Sequence, residues 1–126
     1  MAKIQSVRDL RVWQKAMDLG MDVFNVSKQF PADERFSLTD QVRRSSRSVA
    51  ANLSEAWRRR RYPAAFVAKL NDPEAEAAET QTMTEFAVRC GYLEPAQAES
   101  LDAGYEELLA QRVHMATHTE DWIIGG

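Results

Sequence analysis

Residues Ser37–Tyr62 read SLTDQVRRSSRSVAANLSEAWRRRRY, and the reading of this stretch decides the fold. Leu38, Val42, Ser45, Ser46, Val49, Leu53 and Ala56 fall on one side of a helix at ~100° per residue, which predicts an amphipathic helix. Its small Ser and Ala residues let a neighbouring helix approach closely. Seven arginines (Arg43, Arg44, Arg47, Arg58, Arg59, Arg60, Arg61) stand against two acids, Asp40 and Glu55. The stretch therefore carries +5 in a chain whose net charge is −3, leaving −8 for the remainder. Arg43, Arg47, Arg58 and Arg61 project within about 60° of one another, away from the apolar side. On an unbroken helix they would span ~27 Å. Arg60 falls on the apolar side and Pro63 follows, so the helix is expected to end near Arg58–Arg60. There the arginines also complement the C-terminal helix dipole, which is the plain structural reason for such a cluster.

Outward from this stretch, three more helices are expected. Leu10, Trp13, Ala16, Met17, Gly20, Val23, Phe24 and Ser27 share a face, so a first helix is predicted over about 10–29, with Asp9 as N-cap. Phe30-Pro31 stops it. Val12, Leu19 and Val26 form a second stripe with a seven-residue repeat. It is either scattered surface or, as favoured here, an oligomer interface, because one bundle core is not expected to use both stripes. The second helix spans about 38–59, opened by the capping-box variant Ser37-Leu-Thr-Asp40. The third is expected over 63–90, from Pro63 to Cys90 before Gly91, with Phe66, Leu70, Ala77, Thr84, Ala87 and Val88 on one face. Asn71-Asp72-Pro73-Glu74 interrupts it, and a kink within one rod is favoured over two helices. The fourth runs over about 95–120 and buries Ala98, Leu101, Tyr105, Leu108, Met115 and Ala116. Arg112 lies in the middle of that face. It either snorkels outward, pairs with an acid such as Glu76 or Glu79, or meets another subunit. The expected architecture is all-α, an antiparallel up-and-down four-helix bundle in a single domain, 1–126.

Length and composition bound the rest. A chain of 126 residues buries one core. No apolar run approaches the ~20 residues of a membrane span. MAKIQSVRDL has no apolar signal core, and the lone Cys90 forms no internal disulfide, so a cytoplasmic protein is expected. Neither histidine has a Glu three residues before it, as a carboxylate-bridged di-metal bundle requires. His114 and His118, four apart, share a helical face that would suit a divalent ion; solvent-facing spectators are the plainer reading. Cys90 reads as a packing residue. Trp13 reads as core. Trp57 and Tyr62 flank the arginines and are either base-stacking groups or helix-end anchors. No phosphate-binding glycine loop is present, and Gly125-Gly126 is a tail. No catalysis, metal, cofactor or small-molecule substrate is expected.

Several segments resemble one family: Asp9-Leu-Arg-Val-Trp-Gln-Lys-Ala16, Phe30-Pro31, Leu38-Thr-Asp-Gln-Val-Arg-Arg44, Ser48-Val-Ala-Ala-Asn-Leu-Ser-Glu55, Glu79-Thr-Gln-Thr82 and Cys90-Gly-Tyr-Leu93. They are similar to the four-helix bundle proteins encoded in intervening sequences of bacterial large-subunit ribosomal RNA genes. The accessory variability-determinant protein of diversity-generating retroelements belongs to the same broad group. The resemblance covers nearly the whole chain. It implies a ring-shaped homo-oligomer, a pentamer, that binds nucleic acid through its basic outer surface. The chain departs from the pattern at Trp57, where glycine is usual after Ser-Glu-Ala, and at Pro73, inside a helix expected to be continuous.

Two readings follow. In one, Arg43, Arg47, Arg58, Arg59 and Arg61 contact the phosphates of RNA or DNA, with ring symmetry multiplying a modest patch. In the other, the protein is an oligomeric scaffold or protein-interaction module whose arginines pair with acids of a neighbouring subunit. The pI near 5.4 favours the second; the segregation of charge and the resemblance favour the first.

Overall fold

The computed structural model describes residues 4–118, and all its regular elements are helical. They are α1 (Arg11–Ser27), α2 (Leu38–Arg58), α3 (Pro63–Lys69), α4 (Asp72–Arg89) and α5 (Pro95–Thr117), with short 3-10 turns at Val7–Asp9 and Ala32–Glu34. Cross-helix pairs fix the topology. Trp13 at the start of α1 meets Ser54 near the end of α2, while Arg43 near the start of α2 meets Ser27 at the end of α1. Ser45 meets Thr80, and Lys69 meets Glu55. Arg112 reaches Glu74 while Gln81 reaches Glu106, and Lys15 reaches Glu107. Every one of these neighbours therefore runs antiparallel, and the arrangement is an up-and-down four-helix bundle with α3 and α4 together as the third rod. Among the described residues, no helix is long and apolar enough to cross a membrane.

The buried face of α2 holds every residue its periodicity assigned to it: Leu38, Val42, Ser45, Ser46, Val49, Leu53 and Ala56. Phe66, Leu70, Ala77, Thr84 and Ala87 are likewise buried, as are Ala98, Leu101, Tyr105, Leu108 and Met115. Ser45 and Thr80 share a hydrogen bond at 2.7 Å inside this core, so the small polar residues of α2 satisfy one another across the α2–α4 contact.

Four local expectations are corrected. Asp9 does not cap α1: its carboxylate accepts from the amides of Gln5 and Ser6 in a capping box around the 3-10 turn, and Leu10 is the N-cap. Those amides also hold its pKa below the usual carboxylate value. At α2 the side chain that reaches the Leu38 amide is that of Glu34, which also accepts from Ser37, so Asp40 has no part in that cap. The third rod is not continuous. It breaks at Leu70–Asn71, although both residues keep right-handed helical backbone angles. Pro73 supplies no amide hydrogen, so the ladder loses a rung there. Finally, α5 ends at Thr117 with His118 as C-cap; residues 119 and 120, and the Gly125-Gly126 tail, lie outside the described residues.

The proposed seam of Val12, Leu19 and Val26 is also corrected. Val12 is 3% exposed and Leu19 5%, both inside the chain's own core, and Val26 packs half-buried against it. The cause is that α1 lies against both α2 and α5, so its buried arc is wider than one stripe. Leu19 has room because Gly104 on α5 presents no side chain opposite it; an added Cβ there would lie 2.5 Å from Leu19 Cδ2. The apolar residues of α1 left in solvent are Met17 and Met21.

Candidate nucleic-acid interface

The arginines of α2 separate into two groups once the helix is packed. Arg43 faces α1. Its Nε donates to Ser27 Oγ at 2.7 Å, and its guanidinium lies 4.8 Å from the centre of the Phe24 ring. It is half-buried and occupied within the chain. Arg44 is exposed, with Asp40 one turn back at 3.9 Å. Arg47 is exposed and borders a groove between α1 and α2 lined by Met17, Met21 and Phe24.

The second group lies where α2 ends. Arg58 is the last helical residue and Arg59 the C-cap; both are exposed, as are Arg61 and Tyr62. Among the described residues, Arg47, Arg58, Arg59 and Arg61 have no carboxylate within ion-pair distance. Arg60 turns inward, as its place on the apolar side requires. Its guanidinium stacks 3.7 Å from the Trp57 ring centre, and Nη1 donates to the Trp57 carbonyl at 2.7 Å. Burial, and then the charge of Arg58, lower its pKa. Trp57 is buried and anchors the helix end, whereas Tyr62 projects into solvent beside the arginines.

Sequence reasoning missed Arg8. Its guanidinium lies 5.7 Å from the Trp13 ring centre, and the indole N–H of Trp13 donates to Ser54 Oγ at 3.0 Å. Ser54 is one helical turn before Arg58 on the same side of α2. Arg8 thus stands at the same end of the bundle as Arg58, Arg59 and Arg61. An Arg–Trp spacing of five residues across a turn gave no periodic signal for it.

The expected stripe of Arg43, Arg47, Arg58 and Arg61 is therefore not one surface. It is a basic end, with Arg47 beside an apolar groove and Arg43 withdrawn into the α1–α2 seam. The basic end also faces the negative pole of the α2 dipole, which the arginines offset. Their chemistry suits phosphate oxygens: five donors per guanidinium in a fixed plane, with no partner to displace.

Other singled-out residues fall as follows. Trp13 is half-buried at the α1–α2 seam, not in the core. Cys90 is exposed at the C-cap of α4, where Gly91 (φ +79°) turns the chain away; the packing reading is withdrawn. The rings of His114 and His118 stack with centroids 4.0 Å apart, and His118 Nδ1 lies 2.9 Å from the His114 carbonyl. Arg112 pairs with Glu74, in place of Glu76 or Glu79, and is 8% exposed.

Comparison with known proteins agrees with this architecture. Residues 8–113 match the family model of the 23S rRNA-intervening sequence protein. A crystal structure of a protein of unknown function from the S23 ribosomal protein family of Bacteroides thetaiotaomicron superposes with a TM-score of 0.73 at 27% identity. The match covers 83% of this chain and 97% of that one. No curated protein matches significantly. With the family model spanning the four-helix bundle, the chain belongs to the 23S rRNA-intervening sequence protein family.

Proposed function

We propose that this protein is a non-catalytic, self-associating four-helix bundle that binds nucleic acid through the basic end formed by Arg58, Arg59, Arg61 and Arg8. One observation carries the reading: in a chain of net charge −3, exposed arginines without carboxylate partners among the described residues collect at one end of one helix. The nearest acid on α2 is engaged elsewhere: Glu55 pairs with Lys69 at 2.7 Å. Such a surface binds by charge and shape, with little base readout, and Tyr62 offers a face on which an unpaired base stacks. The family name ties its members to an intervening sequence of 23S rRNA, so structured RNA is the first probe. Ring assembly into a pentamer belongs to this proposal, as repeated copies would turn a few phosphate contacts into firm attachment.

A scaffold role is the second reading, and Arg47 favours it over part of α2. That arginine sits beside Met17 and Met21, a setting more like a protein contact than a phosphate track.

Binding of labelled RNA and DNA hairpins across a salt series tests the proposal. Binding is expected at low salt and should fall steeply toward moderate salt. Arg58→Glu/Arg61→Glu should remove it while helix content and assembly mass stay unchanged. Arg43→Glu should instead lower thermal stability, since it breaks the Ser27 contact. If wild type binds neither nucleic acid at low salt, the scaffold reading stands in its place.

A further inference from the structure

Among the described residues, the least covered large apolar side chain is Phe36, 88% exposed. It does not hang from a loose loop. The turn before it is built from the 3-10 segment Ala32–Glu34; Ser37 hydrogen-bonds to the Glu34 carboxylate, and Phe30 packs on Tyr92 with ring centres 5.9 Å apart. The phenyl ring is thus held out on a preorganised turn, with the guanidinium of its neighbour Arg35 5.8 Å from the ring centre. A fixed, exposed aromatic loses little conformational freedom on docking.

Elsewhere on the surface, α1 and α2 leave an apolar groove of about 340 Å³. Met17, Gly20, Met21 and Phe24 line one side, and Ser46, Arg47 and Ala50 the other. The small residues Gly20, Ser46 and Ala50 give it depth, while the two exposed methionines adapt their shape to an aromatic guest. Its rim is basic: Arg47 borders it, and Arg43 and Lys28 lie 4.8 and 4.7 Å from the Phe24 ring centre. The Phe36 turn carries the opposite sign on its leading edge, Asp33-Glu34, and Asp33 is exposed with no ion pair among the described residues.

We infer that the α1–α2 groove receives the Phe36 turn of a second copy of this chain, with Asp33 of that turn meeting the Arg47 side of the rim. The inference rests on the self-association proposed above and names its two surfaces. Knob and groove are different patches of one chain, so the contact is head-to-tail and propagates until rotation closes it into a ring. It also accounts for two features that the nucleic-acid reading leaves over: the exposed methionines of α1 and the position of Arg47.

Mass in solution, by sedimentation or light scattering of the full chain, tests this. Wild type is expected to assemble, and Phe36→Asp and Met17→Glu/Met21→Glu are each expected to run as folded monomers with unchanged helix content. Both variants alter exposed positions, so folding is not at issue. Mixed in equal amounts, they retain one intact knob and one intact groove and should recover a dimer and nothing larger. Arg47→Asp should weaken assembly, and adding Asp33→Arg should restore it. Variants that keep the wild-type mass, or a mixture that stays monomeric, overturn the inference while leaving self-association standing. A monomeric wild type overturns both, with the salt titration still deciding nucleic-acid binding alone. If Met17→Glu/Met21→Glu weakens RNA binding at unchanged mass, the groove serves nucleic acid and the inference fails.

Discussion

Arg112 is buried in α5 because the chain breaks opposite it. Where Pro73 interrupts the third rod, the Leu70 carbonyl accepts from Arg112 Nη1 at 3.2 Å, and Nη2 pairs with Glu74 at 3.0 Å. The guanidinium thus bridges the end of α3 and the first turn of α4, supplying a donor that the broken ladder lacks. Removing it leaves a buried carbonyl unpaired and opens space in the core. Arg112→Ala is expected to cost about 2–3 kcal/mol, whereas Glu74→Gln should cost under about 1 kcal/mol, since that carboxylate is half in solvent. Urea unfolding of both variants checks the difference. The sequence showed the oddity of Arg112 but not its cause, because the cause is a carbonyl 42 residues away. Asp102 gives a second residue-scale prediction. Burial, with Glu85, Glu106 and Glu99 nearby, raises its pKa above the ordinary carboxyl value, and Oδ1 is buried without a partner among the described residues. A carboxyl whose folded pKa is raised holds its proton more firmly in the native state, so it favours folding at low pH. That contribution is lost as pH rises through the raised value. Asp102→Asn should therefore stabilise the protein at neutral pH, by less than about 1 kcal/mol, and the gain should vanish below pH ~4. A gain that persists in acid would show that charge is not its source.

At the scale of the element, helix periodicity was sufficient wherever a helix has one buried side. On α2 each assigned core residue is buried, and the helix ends at Arg58, inside the expected window. On α1 it was not sufficient. Two stripes were visible, and the choice between them depended on Gly104, a residue of another helix whose missing side chain admits Leu19. Met17 was assigned to the buried side and Leu19 to the outside; packing reversed both. Pro73 was seen, but whether its backbone bends or breaks depends on what receives the freed carbonyls. Two glycines give opposite expectations on this basis. Gly91 ends α4 at φ +79°, a conformation that costs an L side chain about 1–2 kcal/mol, so Gly91→Ala should lower the melting temperature. Gly20 sits within α1, where the nearest atom outside that helix to an added Cβ is the Ser46 carbonyl oxygen, at 3.9 Å. Gly20→Ala should stabilise by up to about 1 kcal/mol through helix propensity. Thermal melts of the two variants, moving in opposite directions, are the check.

Over the whole molecule, the segregation of charge was legible in the sequence, but its geometry was not. Counting arginines gave one stripe on α2. Packing divides it, because Ser27 and Phe24 of α1 claim Arg43 and because α2 stops before Arg59 and Arg61. What remains at the basic end of one copy is Arg8, Arg58, Arg59 and Arg61, which allows roughly four phosphate contacts. At ~0.7–0.9 counterions released per phosphate, the proposed interface of a single copy would have a salt slope of only about −3, and its binding would be weak at physiological ionic strength. Useful affinity then depends on several basic ends engaging one nucleic acid together, where each later contact forms at high effective concentration. On the proposed reading the assembly contact and the basic end are therefore coupled even though they share no residue. Phe36→Asp, which touches no arginine, is expected to reduce RNA affinity by about 10²-fold or more and to flatten the salt slope toward the single-copy value. Anisotropy titrations of wild type and this variant at matched chain concentration measure both quantities. If the monomeric variant keeps wild-type affinity and slope, each copy binds alone and assembly serves some other end.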